Sequence, residues 1–181
     1  MVRWLLLLGL LSAAVAWTNP AGLRWYGVAA LALFGIIVAL KLRRYFHHRA
    51  ALKTLSGLRL LHPDDFEAEV GRWLRRDGWQ VEHRGGAGDG GIDIVARRGK
   101  ETLAVQCKRY AETAAVSAAQ VRDLYGAAVA EGSTRALLIT TGRVSRAAAA
   151  WCEALPDGTR LHLFDAEAVA ELAAGRSRIS A

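Results

Sequence analysis

Apolar residues change their spacing several times along this chain, and each change predicts an element. "WLLLLGLLSAAVAW" (4–17) is a continuous run of 14 residues, and "WYGVAALALFGIIVAL" (25–40) is a run of 16 without a charge. Between them "TNPAG" (18–22) reads as a turn, by its Asn-Pro pair and its Gly. A membrane-crossing helix needs about 20 apolar residues. The second run reaches that length when Leu23 and Leu42 are counted and Arg24 snorkels; Trp25, Tyr26 and Tyr45 suit the interface. The first run is short. It reads either as one arm of a helical hairpin or as a signal peptide, with Arg3 ahead of the leucines and "AVA" (14–16) as a cleavage site. Dense positive charge after the second run favours the hairpin. "HHRAALKTLSGLRLL" (47–61) reads as a linker, helical in part.

From residue 62 the pattern becomes that of a globular α/β domain. Pro63, Asp64 and Asp65 open a helix, on which Phe66, Val70, Trp73 and Leu74 form one apolar stripe. Gly78 stops it. Strands follow at 79–83, 92–97 and 102–110, the last alternating Leu103, Val105 and Cys107 with Ala104, Gln106 and Lys108. Residues 117–132 form an amphipathic helix with Val121, Leu124, Tyr125 and Ala128 on one side. "RALLITT" (135–141) holds a continuous apolar run, Ala136 to Ile139, as in a strand buried on both faces. A helix capped by Ser145, a strand at 160–165 and a helix at 166–175 complete the order α-β-β-β-α-β-α-β-α. That order predicts a mixed sheet, an antiparallel meander followed by parallel strands added through helices. The expected division is a membrane segment at 1–46, the linker, and a folded domain at 62–181.

Charge sharpens this division. Residues 1–56 hold seven Lys and Arg and no acid, while the remaining 125 residues balance 17 Lys and Arg against 17 Asp and Glu. The pI near 10.0 therefore reports the flanks of the apolar runs, not a basic domain. Positive charge concentrated in "KLRRYFHHR" (41–49) places everything after it in the cytoplasm of an inner-membrane protein, near anionic headgroups. The two cysteines, Cys107 and Cys152, show no metal-ligand spacing and read as reduced packing residues. The five histidines show no ligand spacing either.

The chemistry-bearing stretch is "GDGGIDIVARRGKETLAVQCKRY" (88–110). Alternation sends Gln106 and Lys108 to one face, and Asp93 reaches that face from the neighbouring strand. A carboxylate and an amide oxygen suit a hard divalent cation. A lysine beside a cation and a phosphate can position water and offset developing charge. Glu67, on the first helix, can supply a second carboxylate. Glu69 reads as solvated, and Asp89 as a loop carboxylate more than a ligand. The glycines from Gly86 to Gly91 open a strand and lack a Gly-Lys-Ser/Thr sequence, so they are no nucleotide loop; they let backbone approach a bulky polyanion.

At this point "FEAEV" (66–70), "GDGGIDI" (88–94), "VQCKRY" (105–110) and "ITTGRVSRAA" (139–148) resemble the Mrr-like restriction endonuclease family of the PD-(D/E)xK superfamily, in its order and spacing. The likeness covers about residues 60 to 175. It implies a restriction-endonuclease-like mixed β-sheet flanked by helices, here preceded by one or two transmembrane helices. It implies Mg²⁺-dependent phosphodiester hydrolysis in DNA, with Mn²⁺ able to substitute, serving defence against foreign DNA or repair. Carried over residue by residue, Asp93 matches the metal-binding Asp, Gln106 stands for the acidic residue, Lys108 matches the catalytic Lys and Glu67 the helix-one Glu. Asp93, Gln106 and Glu67 would hold the metal. Ile92 stands where the superfamily name has Pro. DNA contact is expected from Arg84, Arg109 and Arg143, and from Thr141 to Ser145 at a helix start. Expected partners are DNA, the membrane and a second copy of the chain, with no small-molecule cofactor. The competing readings are a non-catalytic nucleic-acid-binding module and a membrane scaffold on the same fold.

Overall fold

A computed structural model of the chain describes residues 7, 14, 21–84, 91–156 and 161–179. The first apolar run, apart from Leu7 and Ala14, and the loop carboxylate Asp89 lie outside the described residues. The chain divides into two compact units, residues 1–50 and 51–181.

The first unit is dominated by helix α1 (Ala21–Ala51). Its side chains are largely exposed, with Trp25, Val28, Leu33, Ile36 and Leu40 all in the open. The expected membrane span is not found: no helix among the described residues is long and apolar enough to cross a membrane. The physical reason is length. Arg24 and Lys41 bound the uncharged stretch to 16 residues, about 24 Å at a helical rise, against a hydrocarbon core of about 30 Å.

The second unit begins with a short helix, α2 (Leu55–Arg59), inside the stretch expected to be a linker. Leu52 and fully buried Leu58 belong to the core, so this stretch packs with the domain. Helix α3 (Pro63–Arg76) follows, then β1 (Gln80–His83), β2 (Ile94–Arg98) and β3 (Glu101–Lys108). After them come β4 (Ala115–Val116), α4 (Ala118–Ala130), β5 (Arg135–Thr140), β6 (Arg143–Val144), α5 (Arg146–Glu153), β7 (Leu161–Phe164) and α6 (Ala166–Ala173).

Five strands form one sheet in the order β1-β2-β3-β5-β7, with β3 in the middle. The β1–β2 and β2–β3 pairs are antiparallel; β3–β5 and β5–β7 are parallel. This is the mixed sheet that the element order predicts. Strand alternation sorts its side chains onto two faces. Ile94, Leu103, Val105, Cys107, Leu137 and Ile139 pack with Phe66, Val70 and Leu74 of α3 and Val169 and Leu172 of α6. Val95, Ala104, Ala136 and Leu138 pack with Val121 and Leu124 of α4 and Ala148 of α5. The result is a three-layer sandwich. A second, two-stranded parallel sheet, β4–β6, joins residues 115–116 to 143–144. At two residues each, these strands are too short to leave a periodic signal.

Candidate active site

The site forms where β2 leaves β3. The regular ladder ends at Ile94 opposite Val105. Just before it, the Asp93 N–H donates to the same Val105 carbonyl (2.9 Å), so two residues address one in the manner of a β-bulge. The Asp93 side chain then takes over as acceptor: its Oδ2 receives the Cys107 N–H at 2.6 Å. One carboxylate oxygen is thereby pinned to the backbone of the residue between Gln106 and Lys108.

Gln106 is buried, at 6% exposure. Its Oε1 finds no hydrogen-bond partner among the described residues. Its Nε2 lies against Gly91, where any Cβ would collide with it, and Gly91 also holds a φ of +82° that side chains disfavour. Buried acceptors without donors are rare, and this one leaves room for a donor or a cation. No three His, Cys, Asp or Glu residues converge on a metal site among the described residues. The available set is two carboxylates and an amide, Asp93, Glu67 and Gln106. All its donors are oxygen, which fits a hard divalent ion.

Glu67, on α3, belongs to the same electrostatic cluster. Its carboxyl is pushed above the usual glutamate range, first by burial and then by the charges of Asp93 and Asp64, with Lys108 pulling the other way. The Cys107 thiol is pushed well up by burial and by Asp93 and Glu67, again opposed by Lys108. Glu67, Asp93 and Lys108 therefore belong to one electrostatic cluster around Cys107. A raised carboxyl pKa means the folded chain holds the proton more tightly than the unfolded chain. Stability without metal should then fall as pH rises from the ordinary glutamate value through the raised one. In excess chelator, Glu67→Gln should flatten that slope in urea melts at successive pH values; an unchanged slope would remove Glu67 from the cluster.

Glu69 corrects the expectation of a solvated charge. It is 7% exposed. It accepts from Trp73 Nε1 at 3.0 Å and from Arg72 Nε at 2.6 Å, and it pairs with Arg72 Nη2 as well. Glu69 thus braces α3 from inside. Glu69→Ala strands the indole N–H and should destabilise the domain by about 1–3 kcal/mol. Thermal melts check this: an unchanged melting temperature would show the contacts to be idle.

The residues expected to touch DNA fare unequally. Thr141 is fully buried, and its hydroxyl is spent on the chain itself, accepting from Tyr110 N (2.9 Å) and donating to Tyr110 O (2.8 Å). It cannot reach a phosphate. Ser145 caps α5 by accepting from Ala148 N at 3.2 Å. Arg84 pairs with Glu131 at 2.7 Å. Arg109 donates to the Arg59 carbonyl at 2.8 Å. Arg143 is exposed, with one long contact to Thr113 O at 3.3 Å. Sequence reasoning missed Gly91 and Thr140 as site-shaping residues. Gly91 was visible as part of a glycine run, but its contact with Gln106 is tertiary.

Comparison with known proteins bears on the family and the fold. The family model Mrr_cat, described as "Restriction endonuclease", matches residues 58–173. Over 128 residues the chain is 36% identical to "Uncharacterized protein y4cE" of Sinorhizobium fredii (strain NBRC 101917 / NGR234), covering 63% of this chain and 32% of that protein. Among solved structures it is similar to "DNA modification-dependent restriction endonuclease AspBHI", with TM-score 0.54 and 24% identity, over 71% of this chain and 35% of that one. At that identity the likeness speaks to the fold. The chain spans about a third of the length of both relatives. With the family model covering well over half of its residues, the chain belongs to the Mrr_cat restriction endonuclease family.

Proposed function

We propose that this chain is a Mg²⁺-dependent DNA endonuclease that hydrolyses phosphodiester bonds, with Mn²⁺ able to substitute. Two observations carry the reading: the buried, unpartnered Gln106 Oε1, and the carboxylate of Asp93 pinned to the backbone of Cys107, the residue after Gln106. Neither a binding module nor a scaffold needs a buried acceptor left open. Asp93 and Gln106, with Glu67 directly or through water, would hold the cation. When bound, it would neutralise phosphate charge and acidify a water. Lys108 offers a positive charge and hydrogen-bond donors to a phosphate oxygen or to the attacking water. Asp93 keeps its orientation through the Cys107 N–H throughout. Arg143 remains the candidate for backbone phosphate contact.

The proposed setting is foreign or damaged DNA at the cytoplasmic face of the inner membrane. Two features of the first unit support attachment there: the exposed apolar side chains of α1 and the Lys41, Arg43, Arg44 and Arg49 cluster that follows them. Cell fractionation in which the full chain stays with the soluble proteins would overturn the attachment.

The activity is tested by incubating the full chain with modified and unmodified plasmid, linear duplex and single-stranded DNA. The expected result is nicking or cutting of at least one form with Mg²⁺ or Mn²⁺ and none in excess chelator. DNA binding without cleavage in either metal would favour the non-catalytic module.

A further inference from the structure

We propose that Thr140, Thr141 and Gly142 form a clamp that positions Lys108 for the reaction; the inference rests on the nuclease reading above. Strand β3 ends at Lys108, which pairs with Thr140 in the ladder. Beyond that point the backbone of residues 109 and 110 has left the sheet, yet it is held more tightly than a strand end requires. The Lys108 carbonyl accepts twice, from Thr140 Oγ1 at 2.8 Å and from Thr141 N at 3.2 Å. Thr141 Oγ1 then bridges both polar groups of Tyr110, accepting from its N–H at 2.9 Å and donating to its carbonyl at 2.8 Å. One hydroxyl does the work of a missing strand neighbour.

Each member of the triplet contributes a distinct device. Thr140 Oγ1 also accepts from Gly142 N at 3.0 Å, closing a small ring of bonds. Gly142 lets the chains meet: a Cβ there would lie 2.7 Å from Tyr110 Cβ and 2.6 Å from the Ala114 carbonyl. Farther out, Tyr110 is anchored at its ring, where Gln120 Nε2 donates to the phenol oxygen at 2.6 Å, and the Thr141 carbonyl accepts from Arg59 Nε at 3.0 Å. Both threonines are fully buried. Both threonine hydroxyls are spent on main-chain groups. The effect of this arrangement is to fix the main chain on the C-terminal side of Lys108, while Asp93 fixes Cys107 on the other.

A lysine has four rotatable bonds, so the freedom of its Cα adds directly to the scatter of its ammonium group. Displacements near 1 Å at a reacting group can cost about 100-fold in rate. Thr141→Val keeps the shape and the methyl but removes the bridge. It should lower kcat about 10- to 100-fold while KM for DNA stays within about twofold, the pattern of an interaction expressed in the transition state. Thr141→Ser keeps the hydroxyl and should restore kcat to near the wild-type value. Thr140→Val should act in the same direction, since it frees the Lys108 carbonyl.

The measurement is steady-state cleavage by full-length chains at a temperature where melts show each variant folded. A folded Thr141→Val enzyme with wild-type kcat overturns the clamp. So does a Thr141→Ser enzyme as slow as the valine variant, because then the methyl, not the hydroxyl, would matter. Equal rises in KM with kcat unchanged would make the triplet a DNA-binding element and overturn the proposal as well. Should the valine variants fail to fold, amide exchange of the wild type decides. The Tyr110 amide must exchange as slowly as amides inside β3, although it lies outside the sheet; fast exchange there overturns the clamp. A wild-type chain that cuts no DNA would sink the nuclease reading, whereas a cutting wild type with an indifferent Thr141 sinks only this inference.

Discussion

Lys108→Ala should slow DNA cleavage on the order of 10² to 10³-fold, while metal-dependent DNA binding stays within about twofold. The expectation follows from where the residue stands. Its main chain is fixed on both sides, by the Asp93 bond to Cys107 N and by the threonine bonds to its own carbonyl. Its side chain is half-buried and close enough to Glu67 to oppose the rise that burial and Asp93 impose on that carboxyl. A charge held this way contributes most when phosphate charge grows in the transition state, and less in the ground state. Filter binding and single-turnover cleavage, run on the same preparations, separate the two. A variant that cuts at the wild-type rate would remove Lys108 from the chemistry. One that no longer binds DNA would make it a phosphate anchor.

Asp93→Ala should abolish both cation binding and cleavage, and it should also loosen the fold. Removing the carboxylate strands the Cys107 N–H, which accounts for about 1–3 kcal/mol of lost stability. Asp93→Asn separates the two effects. Its amide oxygen can still accept from Cys107 N, so stability should return, while the negative charge needed to hold a divalent ion does not. Calorimetric titration with Mn²⁺ and thermal melts of both variants form the test. Because Gln106 is neutral, cation binding by the wild type should be weak until phosphate oxygens complete the shell. Tight Mn²⁺ binding by Asp93→Asn would place the cation elsewhere.

Much of this domain was legible before any coordinates. The stripe Phe66, Val70, Trp73, Leu74 is the buried face of α3, and the unbroken apolar run at 136–139 is the strand covered on both faces. Period and burial carry such information locally. The shared face of Gln106 and Lys108 was legible for the same reason, since alternation holds whatever the rest of the sheet does. What escaped depends on partners distant in sequence or on polar groups turned inward. Thr141 reads as a surface hydroxyl near a helix start until Tyr110 is brought beneath it by the β3–β5 pairing. Glu69 reads as solvated because burying a carboxylate is costly without partners; those partners, Arg72 and Trp73, lie three and four positions on and were the available signal. The apolar helix near the N-terminus misled in the opposite direction, since an uncharged run invites extension past the charges that end it.

The middle position of β3 has a consequence for how heat silences the protein. The strand that bears Gln106 and Lys108 has β2 on one side and β5 on the other, so it is shielded from fraying at either rim. Local opening starts at rims and short elements, here β1 and β7, and reaches a central strand only when the whole unit gives way. Inactivation and global melting should therefore coincide on a temperature ramp. The chain would pass from working to unfolded without a half-melted form that still binds metal, so a thermally stressed cell would hold either a complete site or none.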